Sequence, residues 1–243
     1  MNVVQSGLVL QALLALAAVA TGLLCPVSWR SRATGALCAL LGVAGIVTGA
    51  AALGGANGAL TIPLALPIDP LVLSPDRLGG LFMLVVSAVG ALVSLFGIGS
   101  ARGAEASRTS WAAMAVFLGG MQLVPAATDV VSFLLLWEIM TLGSTVLLLA
   151  DHASRSTVYS AAIWYSAMSQ LSFFFVLAGF GVLVAATGGT GFQTLATVQE
   201  GSWPANLAFV LLLLGFGGKA ELVPLHVWVP GCFRRRRAMS PRR

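Results

Sequence analysis

Long apolar runs separated by short polar segments dominate the pattern along this chain of 243 residues. Each run has roughly 20 residues, enough for an α-helix to cross the ~30 Å hydrocarbon core of a bilayer. The alternation of period two that a membrane β-barrel needs is missing from the sequence. The pattern therefore predicts an all-α, polytopic membrane helical bundle with seven spans, at residues 5–25, 34–53, 78–99, 111–127, 131–150, 158–186 and 206–229.

Composition supports the same class, because 58% of the residues are hydrophobic and only 9% are charged. A soluble domain needs far more polar surface than this chain offers. The cysteines, Cys25, Cys38 and Cys232, are scattered and form no C-x-x-C pair. The sequence therefore predicts no metal site, no redox centre and no cofactor.

The basic residues predict the orientation, because arginine and lysine accumulate in short loops on the cytoplasmic side. Most of the basic residues follow the odd-numbered spans, which places the ends of those spans in the cytoplasm: Arg30, Arg32, Arg102, Arg108, Arg155, Arg234, Arg235, Arg236, Arg237, Arg242 and Arg243. Arg77 lies on the opposite side, and Lys219 lies within the last span. We expect the N-terminus outside and the C-terminus in the cytoplasm of a multi-pass protein of the cell inner (plasma) membrane.

Residues 1–25 also fit a secretory signal peptide, since Ala18, Val19 and Ala20 resemble a cleavage site. Against this reading, the segment has no basic residue before its apolar run, and Arg30 and Arg32 lie at its far end. The charges favour an uncleaved first span.

Prolines and glycines divide the chain at residues 54–77, which we interpret as a long external connection. Residues 1–77 are thus an N-terminal two-helix portion together with this connection, and residues 78–230 contain the remaining spans. Residues 231–243 form a basic cytoplasmic tail whose arginines suit lipid phosphates; without a folded domain to present them, nucleic acid is not an expected partner.

Ionisable residues at membrane depth are the candidates for function, because each needs a partner or water there. Glu138 lies inside the fifth span, and Thr141 and Thr145 follow at i+3 and i+7, on nearly the same helix face. The hydroxyls alone are equally explained as contacts between helices. The sixth span adds polar residues that suit a hydrated path: Tyr165, Ser166, Ser169 and Gln170.

Lys219 and His226 are seven residues apart in the last span, so one helix face would carry both as successive stations for a proton. Pro224 removes a backbone hydrogen bond there, which predicts a broken seventh helix. Glu221 points away from Lys219, so Glu138 is the better partner. A changing distance between Glu138 and Lys219 would load and unload a proton.

Two segments, "DVVSFLLLWEIMTLGSTVLLL" and "LLLLGFGGKAELVPLHVWVP", resemble the antiporter-like membrane subunits of complex I, membrane-bound hydrogenases and Mrp antiporters. Among these, hydrogenase-4 component B and the formate hydrogenlyase membrane subunit look most similar. The resemblance implies that Glu138 and Lys219 are the glutamate and lysine of proton translocation. It also implies that electron transfer in other subunits, an oxidoreductase or hydrogenase, drives this step.

The chain departs from the family where the motif ends at Pro230, because the expected eighth helix and second repeat do not follow. We expect a truncated antiporter-like repeat, with residues 231–243 read out of frame. Three functions stay open: a proton-translocating subunit among other membrane subunits, a non-conducting remnant or assembly subunit, and an Mrp-type cation/proton antiporter subunit.

The charge distribution makes the topology testable with single cysteines introduced at positions 104, 190 and 240. An impermeant thiol reagent added outside intact cells should label position 190 and leave positions 104 and 240 unlabelled until the membrane is opened. Labelling of position 104 from outside would contradict the predicted orientation.

Overall fold

The computed structural model describes residues 2–63, 69–100, 107–150, 156–220 and 222, and of residues 156–161 it describes the backbone alone. Arg102, Arg155, His226 and the basic tail lie outside these ranges. The described chain forms the elements α1 (Val3–Leu24), α2 (Val27–Leu53), β1 (Leu60–Ile62), β2 (Leu71–Leu73), α3 (Arg77–Ser100), α4 (Arg108–Leu123), α5 (Val130–Ala150), α6 (Ser156–Thr187), α7 (Phe192–Leu195) and α8 (Trp203–Lys219).

Five helices in the described ranges, α1, α2, α3, α5 and α6, are long and apolar enough to cross a membrane. The other two predicted spans correspond to α4, with 16 residues, and α8, with 17. At 1.5 Å per residue these reach only about 24–26 Å, and a 3₁₀ turn at Val124–Ala126 extends α4. The chain is a polytopic helical membrane protein, and the count of seven spans and their orientation stay predictions.

Large apolar side chains cover the outside of these helices. Leu13 and Leu16 of α1 are 60% and 68% exposed, and Leu92 and Phe96 of α3 are 68% and 76% exposed. In water such a surface would cause association, whereas in a bilayer it is the surface that lipid tails solvate. The polar side chains that are buried must then find their partners inside the protein.

The chain divides into two compact units, residues 1–151 and residues 152–243. In the first unit, α2 packs most extensively against α3, and α1 packs against α2 and α4. Glycine permits the close approach of α2 and α3, since a Cβ on Gly49 would lie 2.6 Å from the Gly80 carbonyl oxygen. Gly45 and Gly49, which have G-x-x-x-G spacing, therefore serve helix packing.

Two helix pairs of the first unit, α1 with α4 and α4 with α5, are antiparallel. The α4–α5 hairpin agrees with the three-residue separation of the predicted spans, residues 128–130. Contacts at glycines set both registers: Gly22 lies beside Ala112 and Gly119 beside Ala15 between α1 and α4, and Gly120 lies beside Met140 and Gly143 beside Phe117 between α4 and α5.

The connection between α2 and α3 contains a small antiparallel sheet that the sequence did not predict, in which Leu60 pairs with Leu73. Its second strand is attached to the start of α5. The Ser132 hydroxyl accepts a 2.8 Å hydrogen bond from the Val72 amide and donates a 2.6 Å bond to Asp129 Oδ2. Asp129 Oδ1 accepts from the Ser132 amide at 2.9 Å, as an N-cap residue does.

In the second unit, α6 and α8 pack against each other in antiparallel directions. Gly179 of α6 lies beside Leu212, and Gly215 of α8 lies beside Val176. A Cβ on Gly215 would lie 2.8 Å from the Val176 amide nitrogen, so a larger residue would force the helices apart. The short helix α7 lies in the connection between them.

Replacing Ser132 by alanine should destabilise the first unit, because the change removes one acceptor and one donor of the buried link to Asp129 and Val72. The expected loss is about 1–3 kcal/mol, since the Val72 amide and the Asp129 carboxylate each lose a partner. Thermal unfolding of the purified protein in detergent measures this loss.

Ser94→Ala is the matched control, because the Ser94 hydroxyl is equally buried and donates only within its own helix, to Gly90 O at 2.7 Å. Equal melting temperatures for the two variants would show that the link between β2 and α5 adds no stability.

Candidate functional site

The predicted site residues lie in different parts of the chain. Glu138 is in α5, in the first compact unit, and Lys219 is the last residue of α8, in the second. His226 lies outside the described residues. The pairing of Glu138 with Lys219 therefore stays a prediction.

Glu138 is half-buried on α5 and follows the buried Trp137. Thr141, which is fully buried, and Thr145 continue the same helix face. Both threonine hydroxyl oxygens are buried, and neither has a hydrogen-bond partner among the residues that the structure describes. The predicted polar stripe thus carries hydroxyl groups that are available to bind water or a moving proton beside the carboxylate.

The start of α5 is fixed by the Asp129 cap, nine residues before Glu138. Asp129 is only 8% exposed and holds both the amide and the hydroxyl of Ser132. Sequence reasoning placed Asp129 in a connection and missed this role. An aspartate directly before an apolar run is an N-cap signal that would have identified it.

Lys219 lies against hydroxyl groups of α6. Its ammonium Nζ is 3.4 Å from the Tyr165 hydroxyl and 3.5 Å from the Ser169 hydroxyl, which are long hydrogen bonds. The same Nζ lies 5.4 Å from the centre of the Tyr165 ring, within the range of a cation–π contact. Two of the polar residues predicted in the sixth span therefore contact the predicted lysine.

Small residues bring the lysine to this position. Gly215 and Gly218 face α6, and a Cβ on Gly215 would lie 2.8 Å from the Ser172 carbonyl oxygen. A side chain on Gly218 would collide with the Ser172 hydroxyl. Ser172 is 4% exposed and completes a stripe with Tyr165 and Ser169 at i+4 and i+7. Sequence reasoning missed Ser172, although its helical spacing indicates it.

The end of α8 also favours a positive charge. The Ala220 amide donates to the Phe216 carbonyl at 2.8 Å, and the Leu222 amide donates to the Gly217 carbonyl at 2.9 Å. The helix thus ends at Lys219, inside the span predicted at residues 206–229 and before Pro224. A cation in the last turn interacts favourably with the partial negative charge of the helix C-terminus.

The surroundings of Lys219 include hydroxyls, an aromatic face and a helix C-terminus. Hydroxyls both donate and accept hydrogen bonds, so they suit either protonation state of a lysine. The described ranges contain no group of three His, Cys, Asp or Glu residues that suits a metal ion. The chemistry that this arrangement supports is the movement of a proton.

Comparison with known proteins gives these residues a family context. Residues 127–235 match the family described as "NADH:quinone oxidoreductase/Mrp antiporter, TM", and this range contains Glu138, Lys219 and His226. An uncharacterized protein of Mycobacterium tuberculosis is 42% identical over 190 residues, covering 78% of this chain and 29% of that protein. Hydrogenase-4 component B of Escherichia coli is 26% identical over 162 residues, covering 66% of this chain and 24% of that protein.

A solved structure of the Mrp complex from Dietzia sp. DQ12-45-1b contains a chain with the same fold. The TM-score is 0.75 at 19% sequence identity, and the match covers 93% of this chain and 43% of that one. The chain therefore spans less than half the length of that chain and less than a third of the two curated relatives. Residues 127–235 match the transmembrane domain of the NADH:quinone oxidoreductase/Mrp antiporter family, as the two motifs in this range predicted.

Proposed function

We propose that this chain translocates protons as a membrane subunit of a complex I-like or membrane-bound hydrogenase complex in the cell inner membrane. Glu138 and Lys219 exchange the proton, and His226 is the next station beyond Lys219. The observation that carries the proposal is the position of Lys219 at the end of α8, with its ammonium against the Tyr165 and Ser169 hydroxyls.

Transfer depends on the two forms of the lysine having different partners. The charged form is held by the α6 hydroxyls and the Tyr165 ring. When Glu138 approaches, the ammonium gains a carboxylate partner; when the two separate, the lysine releases its proton along the hydroxyl stripe. Thr141 and Thr145 provide the corresponding hydroxyls beside Glu138.

Partners of this subunit supply the driving force, since the proposed site itself contains only protonatable groups. The similar Dietzia chain is part of an Mrp complex, and the family description names NADH:quinone oxidoreductase together with Mrp antiporters. We therefore infer that neighbouring membrane subunits accompany this chain. An oxidoreductase partner gives a redox-driven pump, and an Mrp-type assembly gives cation/proton antiport.

Lys219→Arg is the sharpest single test of the lysine, because arginine keeps the positive charge and cannot release a proton in a protein. Proton flux through the complex, isolated by a tag on this chain and reconstituted into proteoliposomes, should fall about tenfold or more. A potassium diffusion potential drives the flux, and an enclosed pH-sensitive dye reports it.

Lys219→Met and Glu138→Gln should lower the flux as strongly as Lys219→Arg, because each variant removes one protonatable group. Normal flux in Lys219→Arg and Lys219→Met, with the complex assembled, would favour the non-conducting assembly subunit instead. A sodium gradient that drives proton flux in the wild type, with no potential imposed, would favour cation/proton antiport.

Tyr165→Phe tests the hydroxyl contact, because it removes the hydroxyl and keeps the aromatic ring over the ammonium. We expect a smaller loss of flux than for Lys219→Met, about two- to tenfold, as for the loss of one typical hydrogen bond. Tyr165→Leu, which removes the ring as well, should lose more. Equal flux in Tyr165→Phe and the wild type would show that the hydroxyl does not take part.

A further inference from the structure

Among the buried polar side chains of the first unit, we consider one on each of the helices α1 to α4: Gln11, Thr48, Ser87 and Gln122. Each of them is 0% exposed. The proposed proton transfer uses none of them. A glutamine amide in an apolar interior is costly unless its oxygen and its nitrogen both have partners, so the surroundings of these groups are informative.

Helix register brings the two glutamines to one level. In the antiparallel pair of α1 and α4, Ala15 lies beside Gly119. Gln11 precedes Ala15 by four residues, and Gln122 follows Gly119 by three. Because the helices are antiparallel, both glutamines lie about one helical turn from this contact, on the facing sides of the helices and toward the same end of the pair. The amides of Gln11 and Gln122 therefore face the same interior layer.

Glycines on α2 and α3 leave the space beside Gln122. A Cβ on Gly45 would lie 2.7 Å from Gln122 Oε1 and would collide with the Ser87 hydroxyl. A Cβ on Gly90 would lie 3.4 Å from Gln122 Nε2. The Gln122 amide thus lies between the backbones of α2 and α3. Gln122 Oε1 and the Ser87 hydroxyl both lie against Gly45 of α2.

Direct hydrogen bonds account for only part of this layer. Gln11 Nε2 donates to the Thr48 hydroxyl at 3.0 Å, and the Thr48 hydroxyl donates to the Ala44 carbonyl at 2.7 Å. Four other buried atoms have no hydrogen-bond partner within the part of the chain that the structure describes: Gln11 Oε1, Ser87 Oγ, Gln122 Oε1 and Gln122 Nε2. Buried side-chain atoms in native proteins nearly always have a partner, either protein or ordered water.

We propose that these four atoms bind buried water, and that this water joins α1, α3 and α4. Water suits the layer because it donates and accepts, as a set of two amides and a hydroxyl requires, and because it needs two to four polar partners. A metal cation does not suit it, since none of the four side chains is charged and Gln122 Nε2 is a donor. The proposal is independent of the proposed proton transfer.

Gln122→Met and Ser87→Ala test the site, because each removes polar atoms at similar or smaller volume and leaves the other partners of the water unmet. We expect both variants to lower the melting temperature of the purified full chain, by about 2 °C or more. Leu118→Met is the matched control, because Leu118 is buried one turn away on α4 and the change is apolar throughout. A melting temperature above that of the control would overturn the proposal, since it would show that the polar atoms are unsatisfied.

A direct hydrogen bond between Gln122 and Ser87 would also be lost in these variants, so a second measurement separates it from bound water. A high-resolution electron cryomicroscopy map of the complex should show a density peak within hydrogen-bond distance of both Gln122 and Ser87. Direct contact between Gln122 and Ser87, or between Gln11 and Gln122, with no such peak would overturn the proposal.

Discussion

Each polar group at membrane depth must be met by another part of the protein or by bound water, because lipid offers it no hydrogen bond. Lys219 shows this constraint most directly. Its ammonium reaches the Tyr165 and Ser169 hydroxyls, and the approach depends on glycines of α8 that pack against α6. The packing of the second unit is thus tied to the requirements of one cation.

The first unit meets the same constraint with fixed contacts. The Asp129 carboxylate holds Ser132, and Ser132 in turn holds the backbone of β2, so hydrogen bonds tie β2 to Asp129 at the start of one helical element, α5. Glu138 is nine residues further along this element. The proposed proton exchange at Glu138 would use such support, because in that proposal its distance from Lys219 controls when the proton is loaded and released.

The sequence alone predicts the features that depend on the length of apolar runs and on the free-energy cost of placing ionisable groups in lipid. Apolar length predicts the helices, and the expense of an ionisable group in a membrane singles out Glu138 and Lys219. The contact of Lys219 with Tyr165 depends on the register of α6 and α8, which glycines set through close approach and which no local pattern contains. The strands β1 and β2 have three residues each, too few for a periodic signal.

The central claim is that Glu138 and Lys219 act as one unit, and a double-variant cycle tests it most directly. Proton flux is measured for Glu138→Gln, Lys219→Met and the double variant in the same reconstituted complex. If the two groups exchange one proton, the double variant loses no more flux than either single variant, because after the first change the remaining group has no partner with which to exchange a proton. Losses that multiply in the double variant would show that the two residues act independently and would contradict the account.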